Sequence, residues 1–164
     1  MLRKNCIWLL FEELKEANKR LNKLEDLFTS QWGRLVESLV EGALVPLFQE
    51  YGIPIQRTAR RVEGSYQDQN YEFDILIING EELVIVEVKT TLRPADVKNF
   101  LEKLDKCKVW MSEYATKTIY GGVAFIQANT AADQMATKRG LFVIRATGNS
   151  ASIVNQADFH PRAW

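Results

Sequence analysis

The sequence predicts an α/β fold in which a mixed β-sheet is flanked by helices and preceded by a long N-terminal coiled-coil-like helix. Three observations carry that prediction. Helical and extended patterns follow one another in the order helix, strands, helix, strand, helix, strand, as layered α/β domains require. The two most apolar runs, Phe73–Ile78 and Leu83–Val88, lack the polar alternation of a strand with one wet face, so their sheet should be covered on both sides. At the N-terminus, apolar residues recur at heptad rather than strand spacing.

A chain of 164 residues can bury an apolar core as one domain with an appendage. The expected division is an oligomerisation helix over residues 1–29 and a globular domain over residues 30–164. Hydrophobic residues at 46% and charged residues at 26% are ordinary for a soluble protein, and no apolar run reaches the roughly 20 residues of a membrane span. The basic, briefly apolar start gives way at once to Glu12, Glu13 and Lys15 without a small-residue cleavage site, so a cytoplasmic protein without a signal peptide is expected.

Composition also excludes chemistries. Cys6 and Cys107 are too few and too far apart for a disulfide framework or a zinc knuckle. His160 is the single histidine, which removes the material for Ser-His-Asp, Cys-His or multi-histidine metal sites. A metal, if used, is held by oxygen. The formal net charge of +0 means that affinity for nucleic acid has to come from a local patch.

The elements follow in order. Leu10, Leu14, Ala17, Leu21, Leu24, Phe28 and Gln31 are spaced as a coiled-coil seam among solvated charges, to be covered by this chain's next helix in a hairpin or by a second copy in a homodimer. Thr29 or Ser30 can cap a second helix from Gln31 to Gln49, stopped by Tyr51-Gly52-Ile53-Pro54, with Trp32, Leu35, Val36, Leu39, Val40, Ala43 and Leu47 facing inward. Ile55–Tyr66 has the character of an outer strand, with a bulge or bend at Gly64, and contains the basic cluster Arg57, Arg60 and Arg61. Pro94 opens a helix over Ala95–Tyr114; a strand at Gly121–Ile126, a helix at Thr130–Arg139 closed by Gly140, and a strand at Leu141–Arg145 complete the order.

The chemistry concentrates between Tyr71 and Thr91. Asn79-Gly80 marks a hairpin joining the two apolar runs. Asp74 and Glu87 have opposite parity, so a turn with an even number of residues puts them on one face. A four-residue turn over Asn79–Glu82 sets them directly opposite, with Cβ atoms about 5 Å apart, and a two-residue turn sets them diagonally. Two carboxylates on an apolar face repel and lose hydration, so they need a shared proton or a divalent cation. Hard oxygen ligands favour Mg2+, with Mn2+ as substitute. Lys89 lies on the same face about 7 Å further along, where it can orient or deprotonate water or stabilise charge on phosphorus.

Asp74 followed by Glu87-Val88-Lys89 on the next strand resembles the signature of the PD-(D/E)xK, or restriction-endonuclease-like, nuclease superfamily, with Phe73 in place of its proline. The resemblance extends over Gln31–Arg145. It implies metal-dependent hydrolysis of phosphodiester bonds by a DNA endonuclease. Asp74, Glu87 and the Val88 carbonyl would ligate magnesium and Lys89 would assist water attack. Glu37 corresponds to an acidic helix residue that joins the metal site, Glu41 being expected to point further outward. Lys98, Lys103, Lys106 and Gln127 would border the substrate groove, and Arg57, Arg60 and Arg61 could clamp phosphates. The rival expectation is a catalytically inactive nuclease-fold protein that binds or assembles through its coiled coil.

Overall fold

The computed structural model describes residues 2–147 and 150–164, with side chains from Glu12 onward. It opens with α1 (Leu2–Glu50), one uninterrupted helix. Thr29 and Ser30 lie inside it, which corrects the expected break and the hairpin. A serine or threonine caps only where the backbone leaves the helix, and here helix-forming Leu, Lys and Glu continue the propagating turn up to that point. The chain forms two compact units, one through Arg34 and one spanning Leu35–Trp164. In the first unit the predicted seam residues Leu14, Leu21, Leu24 and Phe28 are all exposed; the side chain of Leu10 is outside the described residues.

The second unit is built on a mixed sheet of β1 (Arg57–Tyr66), β2 (Gln69–Ile78), β3 (Glu82–Leu92), β4 (Thr118–Ala128), β5 (Phe142–Thr147) and β6 (Ser150–Ile153), side by side in that order. The first three run antiparallel, β3–β4 and β4–β5 are parallel, and β6 returns antiparallel. Helix α2 (Pro94–Trp110) crosses between β3 and β4, and α3 (Ala132–Lys138) between β4 and β5. Gly140, at φ 78, makes the left-handed exit from α3. Among the described residues no helix is long and apolar enough to cross a membrane.

As the unbroken apolar runs required, both faces of the sheet are buried. Leu76, Ile78, Leu83 and Ile85 pack with Val97, Phe100, Leu104 and Cys107 of α2. Ile75, Ile77, Val84 and Val86 pack with Val36, Val40, Leu44 and Phe48 of α1. Each large side chain fully withdrawn from water contributes about 1.5–3 kcal/mol, so these paired layers hold the central strands rigidly. The inward stripe of α1 is rotated from the expected one: Leu44 and Phe48 replace Trp32 and Leu35, which are exposed. Apolar residues occur nearly all round this stretch, so periodicity alone does not choose the face.

Smaller departures concern the edges. The β1–β2 hairpin closes through Gln67 and Asp68, both at positive φ, between the paired Tyr66 and Gln69. The irregularity of β1 is at Arg61, φ 48, and not at Gly64. Gly64 is small because the Tyr71 ring lies over it: a Cβ there would come within 2.2 Å of the Tyr71 Oη.

Candidate active site

The hairpin register is the four-residue one: Ile78 faces Leu83 and Leu76 faces Ile85. Asn79 fixes the turn, its side-chain oxygen accepting the N–H groups of Glu81 at 2.8 Å and Glu82 at 2.6 Å while its own backbone N–H donates to the Glu82 carbonyl. The β2–β3 ladder ends at Ile75 and Val86, one step before Asp74 and Glu87. There the strands part, and Asp74 Oδ2 accepts the Val88 backbone N–H at 2.7 Å in place of a ladder carbonyl.

On its other side Asp74 meets β1 where that strand is also irregular. Pairing flanks it at Arg60–Ile75 and Val62–Phe73, and between them stands Arg61 in the left-handed region. Ala59 and Val62 both pack into the α2-side core although three residues apart, and so do Phe73 and Leu76. Strict alternation would put them on opposite faces, so both strands rotate at the Arg61–Asp74 step. The carboxylate thus sits where the sheet's regular geometry gives way.

Glu87 is buried, and both its oxygens are held: Lys89 Nζ lies 2.9 Å from Oε1, and Lys103 Nζ of α2 lies 2.9 Å from Oε2. Lys103 also lies over the Phe73 ring, 5.2 Å from its centroid. Sequence reasoning placed Lys103 only at a groove margin. Its signal was its position beside Leu104 and three residues after Phe100, the edge of the buried α2 stripe, but its partner is a tertiary contact that no local pattern specifies.

Two acids and two ammonium groups share this half-buried spot. Burial, then the field of Glu87, push the Asp74 carboxyl up to about 6, against the Val88 N–H, Lys89 and Lys103. Burial pulls the Lys89 ammonium down, but Glu87 and Asp74 more than offset that and hold it above its usual value. Lys89 is therefore a cation at neutral pH.

The other expected residues are placed as follows. Glu37 is half-buried and bound by Arg61 at 3.3 Å, and Arg61 also feels the charge of Asp74. It is not brought into one group with Asp74 and Glu87: among the described residues no cluster of three or more His, Cys, Asp or Glu side chains is arranged to hold a metal. Glu41, expected to point outward, instead holds Arg60 at 2.8 Å and accepts from the Thr58 hydroxyl at 3.1 Å. The basic cluster is split, Arg60 and Arg61 turning to α1 while Arg57 reaches the Tyr114 hydroxyl at 3.3 Å. Gln127 is exposed near the end of β4, paired with Thr91 of β3, and makes no direct contact with the acids. The side-chain oxygens at this spot are those of the Asp74 and Glu87 carboxylates.

No family model matches the chain, and no curated protein matches it. Solved structures similar to it include a repair endonuclease from Pyrococcus abyssi, with TM-score 0.43, 18% identity, and coverage of 65% of this chain and 46% of that one. EndoMS in a complex with double-stranded DNA gives TM-score 0.40 and 16% identity over 71% of this chain and 46% of that one. A protein of unknown function gives 0.43 and 12% over 61% and 53%. This chain therefore spans about half the length of each. Likenesses this distant carry no inference about what it does.

Proposed function

We propose that this chain is a divalent-cation-dependent nuclease that hydrolyses phosphodiester bonds, with DNA as its substrate. The observation that supports it is the approach of Asp74 and Glu87 just beyond the last paired step of β2 and β3, two acids at the end of otherwise apolar runs, with two lysines against Glu87 and within the field of Asp74. The donor set fits a hard cation that takes one or two carboxylates and fills its remaining positions with water and phosphate, as magnesium does. Asp74, Glu87 and the Val88 carbonyl would hold Mg2+, or Mn2+ in its place. Bound there, the cation supplies a water of lowered pKa and neutralises a non-bridging phosphate oxygen.

The chain's own charges define the rest. Lys89, 2.9 Å from Glu87, would orient or deprotonate the attacking water, or stabilise charge on the phosphoryl oxygens. Lys103 shares that field from α2. With two acids balanced by two ammonium groups, a divalent cation leaves an excess of positive charge that a phosphodiester relieves. Lys89 and Lys103 would then exchange Glu87 for the phosphate, so that cation and nucleic acid would bind together. Glu37 is a positioning residue, holding Arg61 at the irregular step of β1 that lies alongside Asp74. Arg57 and Gln127, both exposed, are the freest of the expected nucleic-acid contacts, since Arg60 and Arg61 must first leave their glutamates. DNA as the substrate rests on the resemblance of the Asp74 and Glu87-Val88-Lys89 motif to restriction-endonuclease-like enzymes.

The test is cleavage of plasmid, branched DNA and RNA with magnesium or manganese, comparing the native chain with Asp74→Ala and Lys89→Ala. Metal-dependent cleavage lost in both variants supports the reading, and cleavage that survives both overturns it. The saturation of Glu87 by two lysines favours a second reading, a nuclease fold whose charges are satisfied and which binds or assembles without catalysis. Calorimetry separates the two, since absence of magnesium binding at millimolar concentration, with and without a DNA duplex, leaves only the second.

A further inference from the structure

Within the unit through Arg34, the α1 face formed by Leu14, Leu21, Leu24, Leu27, Phe28 and Trp32 is 63, 63, 69, 52, 68 and 41% exposed. Phe28 and Trp32 stack on one another with ring centroids 6.1 Å apart and leave their outer surfaces free. From Leu14 to Trp32 the stripe runs about 27 Å along the helix. Single exposed leucines need no explanation, but a contiguous apolar strip of this length is an interaction surface.

We propose that this face closes on the same face of a second copy of the chain as a parallel, in-register two-helix coiled coil. The seam positions are Leu14, Leu21 and Phe28 alternating with Ala17, Leu24 and Gln31, the four-three spacing that supercoils two helices. Flanking it are Glu13, Arg20, Leu27 and Arg34 on one side and Asn18, Glu25 and Trp32 on the other. The acids Glu13 and Glu25 balance the bases Arg20 and Arg34, so the face selects neither an anionic surface such as nucleic acid or acidic lipid nor a basic partner; it complements itself.

Orientation follows from the same residues. In a parallel pair, Arg20 meets Glu25 of the second copy and Leu27 meets its Trp32, each twice by symmetry. Gln31 meets Gln31, whose amides bond to each other and fix the register. An antiparallel pair centred on Leu21 and Leu24 would instead press Gln31 against Leu14 and Arg20 against Leu27, burying an amide without a partner. The inference is independent of the enzymatic reading.

Sedimentation of the full chain tests it. The native chain should sediment as a dimer at micromolar concentrations, and Leu21→Glu with Leu24→Glu should sediment as a monomer. Thermal unfolding of the sheet unit should not shift, since both side chains are exposed on α1. Arg20→Glu or Glu25→Arg alone should weaken the dimer several-fold, and the two together should restore it. A native monomer at about 100 µM, or a dimer that survives the double leucine change, overturns the proposal. Failure of the paired charge reversal to restore association overturns the parallel register.

Discussion

The Asp74 carboxylate and the Val88 N–H are joined at 2.7 Å at the point where β2 and β3 stop pairing. A side chain there does the work of a ladder carbonyl, so Asp74 is anchored to the backbone next to Glu87. The bond leaves the other Asp74 oxygen unused by any protein hydrogen bond described, and that geometry shapes what each change at the site should do.

Asp74 makes metal-free stability fall with pH. Its folded-state pKa, about 6, lies above the ordinary 3.8, so the protonated form is the one folding favours. The contribution is fully present below 3.8 and is lost as pH rises through about 6, worth a few kcal/mol at most. Asp74→Asn keeps an acceptor for Val88 and removes the charge. Urea unfolding in chelator should show the native chain losing stability between acid and neutral pH and the asparagine variant losing less.

The lysines compete with a cation for Glu87. Lys89→Met and Lys103→Met should each raise magnesium affinity in calorimetry without nucleic acid, because each removes a positive charge 2.9 Å from a ligand oxygen. Lys89→Met should nevertheless slow cleavage by about 100-fold or more, as expected when charge stabilisation of the transition state is lost. Tighter magnesium with undiminished cleavage would remove Lys89 from the mechanism.

Arg61 holds a left-handed conformation in a strand, which glycine tolerates and a β-branched residue resists. Urea midpoints should rank Arg61→Gly above Arg61→Ala and Arg61→Val lowest. If Arg61 positions Asp74, Arg61→Lys should recover part of the cleavage rate lost in Arg61→Ala, a rescue that backbone strain alone does not provide.

Gly121 lies under the α2 crossover, where an added Cβ would meet Leu104 at 2.4 Å and Leu141 at 2.7 Å. Gly121→Ala should cost about 1–3 kcal/mol by overpacking, read as a lowered urea midpoint with an unchanged slope.

What could be read from the sequence was whatever local chemistry decides. Asn79-Gly80 located the β2–β3 turn while leaving two and four residues both open, and the unbroken apolar runs around it required a sheet covered on both faces. Tertiary competition hid the rest. Thr29 and Ser30 are good caps that the propagating helix overran, and the stripe of α1 was ambiguous because Leu35, Leu39, Leu44 and Phe48 ring the helix. The start of β2 and the short β6, Ser150–Ile153, give too short an apolar signal to mark a strand. Helical phase ranked Glu37 above Glu41, but what fixes both is the pair of arginines that β1 presents.

The most direct test of a shared cation is anomalous diffraction from crystals soaked in manganese. One peak is expected at roughly 2.2 Å from oxygens of both Asp74 and Glu87, with Lys103 or Lys89 displaced from Glu87. A saturating soak that leaves no peak there, with Glu87 still clasped by both lysines, contradicts it.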